Sequence, residues 1–163
     1  VSAIPATDAR WLDEREAAAW RAYLSMTELL RAACARDLQD QSGLSDADYG
    51  VLVTLSEAGG GRMRTGELAA TLVWSMSRAS HQLRRMEDRG LVVRETCDVD
   101  GRGTEVVITR TGRAALRRAA PAHVESVRRH FIDLLSPREL ITLGSIAERV
   151  VEHLRGEEPW ADR

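Results

Sequence analysis

Residues 65–112 read TGELAATLVWSMSRASHQLRRMEDRGLVVRETCDVDGRGTEVVITRTG. Thr65 is placed to cap a short helix, Gly66–Leu72, and Ser75 to cap a second that runs to about Arg89. Gly90 then supplies the left-handed residue that ends it. Val92–Cys97 and Thr104–Ile108 alternate as strands, and Asp100-Gly101 between them is a tight-turn pair. Helix, short turn, helix and hairpin in that order form a winged helix-turn-helix. That unit is shaped to lay its second helix in a DNA major groove.

At about 100° per residue the second helix separates into two faces. Ala79, Leu83 and Met86 fall together as a row to be buried. Ser77, His81 and Arg84 fall opposite, flanked by Ser80 on one side and by Arg78 and Arg85 on the other. The outward face is small and polar near Ser75, then long and basic. Small residues let the helix end approach base edges, and arginines reach guanine O6/N7 or phosphate. A solvated amphipathic helix would show the same charges, and the helix alone does not separate the two readings. The adjoining turn and hairpin decide for recognition. In the hairpin, Gly101 and Gly103 allow a tight tip that projects Arg102, suited to a narrow, electronegative minor groove. Asp100 would repel phosphate, so its expected role is wing support, paired with Arg102 or Arg94.

Outward from this stretch the chain is helical. From about Trp11 to Asp40, Leu12, Trp20, Tyr23, Leu24, Leu30, Ala33, Cys34 and Leu38 recur at helical spacing with no interior Gly or Pro. A helix of that length is too long to bury itself in a small lobe, so part of its stripe is expected to face another subunit. Ser45-Asp46-Ala47-Asp48 starts a helix to about Glu57 whose buried side is Tyr49, Val51, Leu52 and Leu55. Gly59-Gly60-Gly61 breaks it, and Arg62-Met63-Arg64 fits a very short strand. Thr109 opens a fifth helix, with a kink expected at Pro121. Ser136-Pro137-Arg138-Glu139 is a strong start for a sixth, which carries Leu140, Leu143, Ile146, Val150, Val151 and Leu154.

The 163 residues suffice for one domain with a core or a module plus an oligomerisation element. All 23 basic residues are arginine, which codon bias in a GC-rich genome explains well enough. Net charge is −2, but its distribution is uneven. Residues 1–58 hold five arginines against ten acids, residues 62–94 seven against three, and residues 95–163 eleven against twelve. A +4 island inside an acidic chain is what phosphate contact needs, since only the docking face must release counterions. No membrane-length apolar run and no signal pattern is read, so a cytoplasmic location is expected. Cys34 and Cys97 are too few for a disulfide scaffold and are expected to be free thiols. No Ser/His/Asp spacing, phosphate loop, metal motif or paired carboxylate stands out, so no enzyme and no cofactor is expected. His123 and His130 share a helix face, but two residues do not make a metal site, and surface roles are expected for both.

Glu67-Leu68-Ala69, Ser75, the run Met86-Glu87-Asp88-Arg89-Gly90-Leu91-Val92, and Asp100-x-Arg102 followed by Ile108-Thr109-x-x-Gly112 resemble the signature of the MarR family of transcriptional regulators. The resemblance covers nearly the whole chain. It implies a mainly α fold with a small β-wing (α+β), a homodimer built on the first, fifth and sixth helices, and two winged lobes on a pseudo-palindromic double-stranded operator. It often implies a repressor released by a small anionic or phenolic ligand. The corresponding division is 1–42 for the arm and dimerisation helix, 43–112 for the DNA-binding region, and 113–163 for the terminal dimerisation helices. The expected DNA-binding set is Ser75, Ser77, Arg78, Ser80, His81, Arg84, Arg85 and Arg102. A ligand pocket is expected where the dimer helices meet the lobe, near Trp20, Tyr23, Tyr49, Trp74 and Met76, with Arg78 as anion partner. Plain core packing is the competing role for each of them. The peroxide-sensing branch places a cysteine near the start of the first helix, where Arg21 stands here. Cys34 faces the buried side, and Cys97 at the hairpin is the candidate for an alternative, redox-responsive mode. A further alternative is a protein-interaction module that uses the winged fold without DNA; it calls for an apolar rather than a basic face on Ser75–Arg89.

Overall fold

The computed structural model describes residues 9–96 and 104–156. Among these residues, six α-helices and three strands follow the expected order: α1 Glu14–Ser42, α2 Asp46–Glu57, β1 Arg62–Arg64, α3 Thr65–Thr71, α4 Met76–Asp88, β2 Val92–Thr96, β3 Thr104–Ile108, α5 Arg110–His130 and α6 Pro137–Gly156. The strands form one antiparallel sheet in the order β1-β3-β2. Register pairs Arg62 with Val107 and Arg94 with Val106. The result is mainly helical with a small β-wing.

Caps explain where the helices start. Asp13 accepts from the Glu16 amide at 2.8 Å while Glu16 accepts from the Asp13 amide at 2.9 Å, so α1 begins at Glu14 rather than at Trp11. Gly43, at φ 68°, ends it. Ser45 and Asp48 make the same reciprocal pair for α2. Thr65 is not the cap of α3. Arg64 holds that position, its amide donating to Glu67 at 3.3 Å, while the Thr65 hydroxyl donates to the Thr104 carbonyl at 3.0 Å. Thr65 has a strand within reach, and that bond ties α3 to β3. Helix α5 continues through Pro121.

The core of the lobe gathers Leu44, Val51, Leu52, Leu55, Leu68, Leu83, Met86, Leu91, Val92, Val106 and Ile108. Leu38 of α1 and Ala115 and Ala119 of α5 complete it, so these two helices belong partly to the lobe. Thr109 closes the corner between β3 and α5. Its hydroxyl donates to the Gly90 carbonyl at 2.7 Å and accepts from the Gly112 amide at 2.9 Å. A Cβ at residue 112 would stand 2.1 Å from the Leu91 carbonyl oxygen, which only glycine avoids.

Beyond the lobe, α1 and α5 are clasped by one carboxylate. Asp37 accepts from the Ser126 hydroxyl at 2.6 Å, from Arg129 at 2.6 Å and from His130 Nε2 at 2.9 Å. The Ser126 hydroxyl, with His130 and Arg129 beside it, holds the Asp37 carboxyl at about 2 against an ordinary 3.8. His130 is therefore half-buried and hydrogen-bonded to Asp37 rather than a surface residue. His123 is also turned inward, its ring 4.4 Å from that of Tyr49. In α6 no residue is buried although Ile141, Ile146, Val150, Val151 and Leu154 are apolar. Trp11, Leu12, Trp20, Tyr23, Leu24 and Leu29 at the α1 end are exposed as well.

Two stability predictions follow from local geometry. Val73, between α3 and α4, has φ 53°, a left-handed backbone that a β-branched residue adopts at a cost of about 1–3 kcal/mol. Its side chain is largely exposed, so little packing is lost on replacement. Val73→Asn, which tolerates this conformation, should raise unfolding free energy in urea by about 1 kcal/mol; a loss would contradict the strain. For Asp37 the depressed folded pKa means that its contribution is complete above the ordinary 3.8 and disappears as pH falls towards about 2. Asp37→Asn should therefore melt below the parent protein at neutral pH, and the gap should close over that acidic window. A gap that does not change with pH would rule out the clasp as its source.

Candidate nucleic-acid interface

Helix α4 is seated by the row the sequence singles out: Ala79, Leu83 and Met86 are fully buried. Its entry is fixed by Ser75, whose hydroxyl accepts from the Arg78 amide at 3.3 Å, and by the Trp74 amide, which donates to the Ala69 carbonyl at 2.8 Å. With that row facing in, Ser77, Arg78, Ser80, His81, Arg84 and Arg85 are all exposed, as is Ser75. Small polar groups occupy the first turns and arginines the later ones. The arrangement matches the spacing argument residue by residue.

The seven arginines of residues 62–94 divide by what holds them. Arg62 pairs with Glu105 at 3.2 Å and Glu95 at 3.5 Å. Arg94 clamps Glu87 at the far end of α4, with Nη2 at 2.6 Å and Nε at 3.0 Å from the same oxygen and its amide on the other. These bonds from Arg94 hold the Glu87 carboxyl below its ordinary range. Arg94, expected to support the wing through Asp100, thus fastens β2 to α4. Asp100, Gly101, Arg102, Gly103 and Cys97 lie outside the described residues. Arg89 turns inward to Asp48 at 2.7 Å and to the Gly43 carbonyl at 3.2 Å. Arg78 lies over the Trp74 ring, 4.7 Å from its centroid. Arg84 and Arg85 have no hydrogen bond or ion pair among the described residues, which leaves their guanidinium donors for a ligand.

Two buried polar positions escape the wheel argument. Asp48 is 1% exposed and Gln82 is 7% exposed. Gln82 fills the i+3 position of the buried row, and its amide donates to Asp48 at 2.7 Å. Burial alone would push the Asp48 carboxyl up, but the bonds from Arg89 and Ser45 outweigh it and hold the group below its ordinary range. The signal was present as a polar residue at an apolar position. Finding its partner required the fold.

The residues proposed for a ligand do not form one cluster. An open groove of ≈ 610 Å³ beside α4 is lined by Trp74, Arg78, His81, Gln82 and Arg85, with Ser45, Ala47, Ser75 and Ser77 at its margins. Trp20, Tyr23, Tyr49 and Met76 are not among its walls. Trp20 and Tyr23 stack on each other along exposed α1, with centroids 5.7 Å apart. Tyr49 faces His123, and burial pushes its phenol up. Met76 is half-exposed at the start of α4. Cys34 is a half-buried free thiol. Among the described residues no group of three His, Cys, Asp or Glu side chains could hold a metal ion, and no helix is long and apolar enough to cross a membrane.

Comparison with known proteins agrees with this geometry. The model of the MarR family matches residues 42–103. The chain is similar to AbsC, a MarR family transcriptional regulator from Streptomyces coelicolor, at 48% identity and a TM-score of 0.86, over 91% of this chain and 99% of that one. It is similar to Sco3205, a MarR family regulator from the same organism solved in complex with DNA, at 39% identity and a TM-score of 0.86, over 90% and 92% of the two chains. A probable transcriptional regulator from Pseudomonas aeruginosa shares the fold at 24% identity and a TM-score of 0.71, over 80% and 95%. Among curated proteins none matches.

Proposed function

Because the chain belongs to the MarR family of transcriptional regulators, we propose that it works as a homodimer on a pseudo-palindromic operator, as a repressor released by a small aromatic or anionic ligand. The observation that carries the DNA-reading part is the exposed face of α4, where small polar residues give way to arginines, Arg84 and Arg85 among them having no hydrogen bond among the described residues. Ser75, Ser77 and Ser80 let the helix approach base edges. Arg84, Arg85 and His81 reach further along the groove, with Arg78 beside them. The DNA-bound relative Sco3205 supports this placement by analogy. Arg102, at the wing tip by sequence, is assigned to the adjacent minor groove, with Asp100 supporting it.

The dimer rests on unpartnered apolar surface. A helix of α6's length with no buried residue is marginal in water alone, since most helical stability in proteins comes from packing an apolar face. The exposed side chains of α6 and of the α1 end together offer the surface that a second copy would cover. Two lobes then present α4 helices to half-sites about 34 Å apart. The ligand reading rests on the groove beside α4, where an aromatic face, two arginines and His81 suit a planar anion. An occupant there would crowd the reading face.

Fluorescence anisotropy on a duplex from the region upstream of the protein's own gene tests the first claim. Binding should weaken steeply with salt, and Arg84→Ala with Arg102→Ala should cost about 10-fold or more each. Affinity that ignores salt, or survives the double substitution, would favour a protein-interaction module. For the dimer, light scattering should give the mass of two chains. Ile146→Glu with Leu154→Glu should give that of one, and a parent protein already monomeric would refute the dimer.

A further inference from the structure

Resting on the reading of α4 as the DNA-reading helix, we propose that Asp48 is a positioning residue for recognition: through Gln82 and Arg89 it sets the rotation of α4 about its axis, and so which side chains meet the bases. Both of its oxygens are committed. One accepts from Gln82 at 2.7 Å; the other accepts from Arg89 at 2.7 Å and from the Ser45 amide at 3.0 Å. Asp48 is itself fixed in the first turn of α2 by the capping pair with Ser45, so the anchor belongs to the frame and not to α4.

Gln82 and Arg89 stand seven residues apart, about 10 Å along the axis. Two directional attachments separated by that distance constrain both tilt and rotation. The buried row cannot do this as sharply, because apolar burial is non-directional. A helix turned by about 20° moves side-chain ends near its outer radius by about 2 Å, enough to break a bidentate contact to a base. Stability alone would not favour such a design, since a buried carboxylate held by a half-exposed arginine and an amide is often replaceable by apolar groups without loss. A geometric role gives the buried carboxylate a reason.

The test separates position from folding. Gln82→Leu keeps the buried bulk and removes the attachment at mid-helix, while Asp48→Asn keeps the cap and weakens both attachments. Each variant is titrated by anisotropy against the upstream duplex and against a scrambled duplex of equal length, with a salt series. The ratio of the two affinities should fall about 10-fold for Gln82→Leu and further for Asp48→Asn. Scrambled-duplex affinity and salt slope should stay at the parent values, because no phosphate contact is removed. Helicity by circular dichroism identifies folded variants; should Asp48→Asn not fold, Gln82→Leu carries the test. A folded variant that loses thermal stability but keeps the parent ratio would overturn the positioning role alone. A parent protein with no preference between the duplexes would overturn the DNA reading beneath it.

Discussion

Packing of Ala79, Leu83 and Met86 against the lobe's core determines everything that α4 offers to solvent. Each large apolar side chain buried there contributes about 1.5–3 kcal/mol, so the helix is held by its inner row whatever its outer face carries. That independence lets the outer face be chosen for recognition. Serines near the N-terminal end and arginines further along impose little on the fold, because none of Ser77, Ser80, Arg84 and Arg85 is buried. The polar partner of the inner row, Gln82, is the exception and is the one residue of α4's buried side that forms a side-chain hydrogen bond with Asp48.

Charge is allocated with the same division. The basic island has a net +4 by sequence, but much of it is structural. Arg62, Arg89 and Arg94 each meet a carboxylate and join elements: β1 to β3, α4 to α2, and β2 to α4. A count of basic residues overstates the charge available to a phosphate backbone, because a neutralised pair releases few counterions. The useful cations are those of α4 that form no ion pair among the described residues, and Arg84 and Arg85 stand out among them. Arg78 differs again, since a guanidinium stacked on Trp74 keeps its charge while losing freedom of orientation.

The fold was largely legible in the sequence because its signals were local. Ser75, Ser45 and Thr109 cap the helices they were read to cap, Gly90 takes the left-handed conformation, and the alternating strands pair as a hairpin. The errors came where a distant group won. Thr65 gave its hydroxyl to Thr104, and His130 found Asp37 across 93 residues of chain. A helical wheel has no access to such partners. The candidate site divides in the same way: the exposed row follows from periodicity, whereas the Asp48–Gln82 attachment depends on how α2 crosses α4. The ligand residues were the least legible, because aromatic character along a sequence does not say which rings share a wall.

Helices α1 and α5 carry the consequence furthest. Leu38, Ala115 and Ala119 place both in the lobe's core, and eleven residues after Ala115 the same α5 offers Ser126 to Asp37 of α1. The pair is therefore fastened to itself and to the lobe, by packing at one end and by a charged clasp at the other. In the proposed dimer the exposed stripes of α1 and α6 would be held by the second copy, so any change in how the copies meet must pass through this α1–α5 pair to reach α4. Packed elements shift as units rather than deform continuously. A rotation of the pair would then carry α2 with it, and Asp48 on α2 would pass that rotation to α4 through Gln82 and Arg89. Two half-sites at fixed spacing tolerate little of such movement, which makes a small displacement of the frame sufficient to lower affinity.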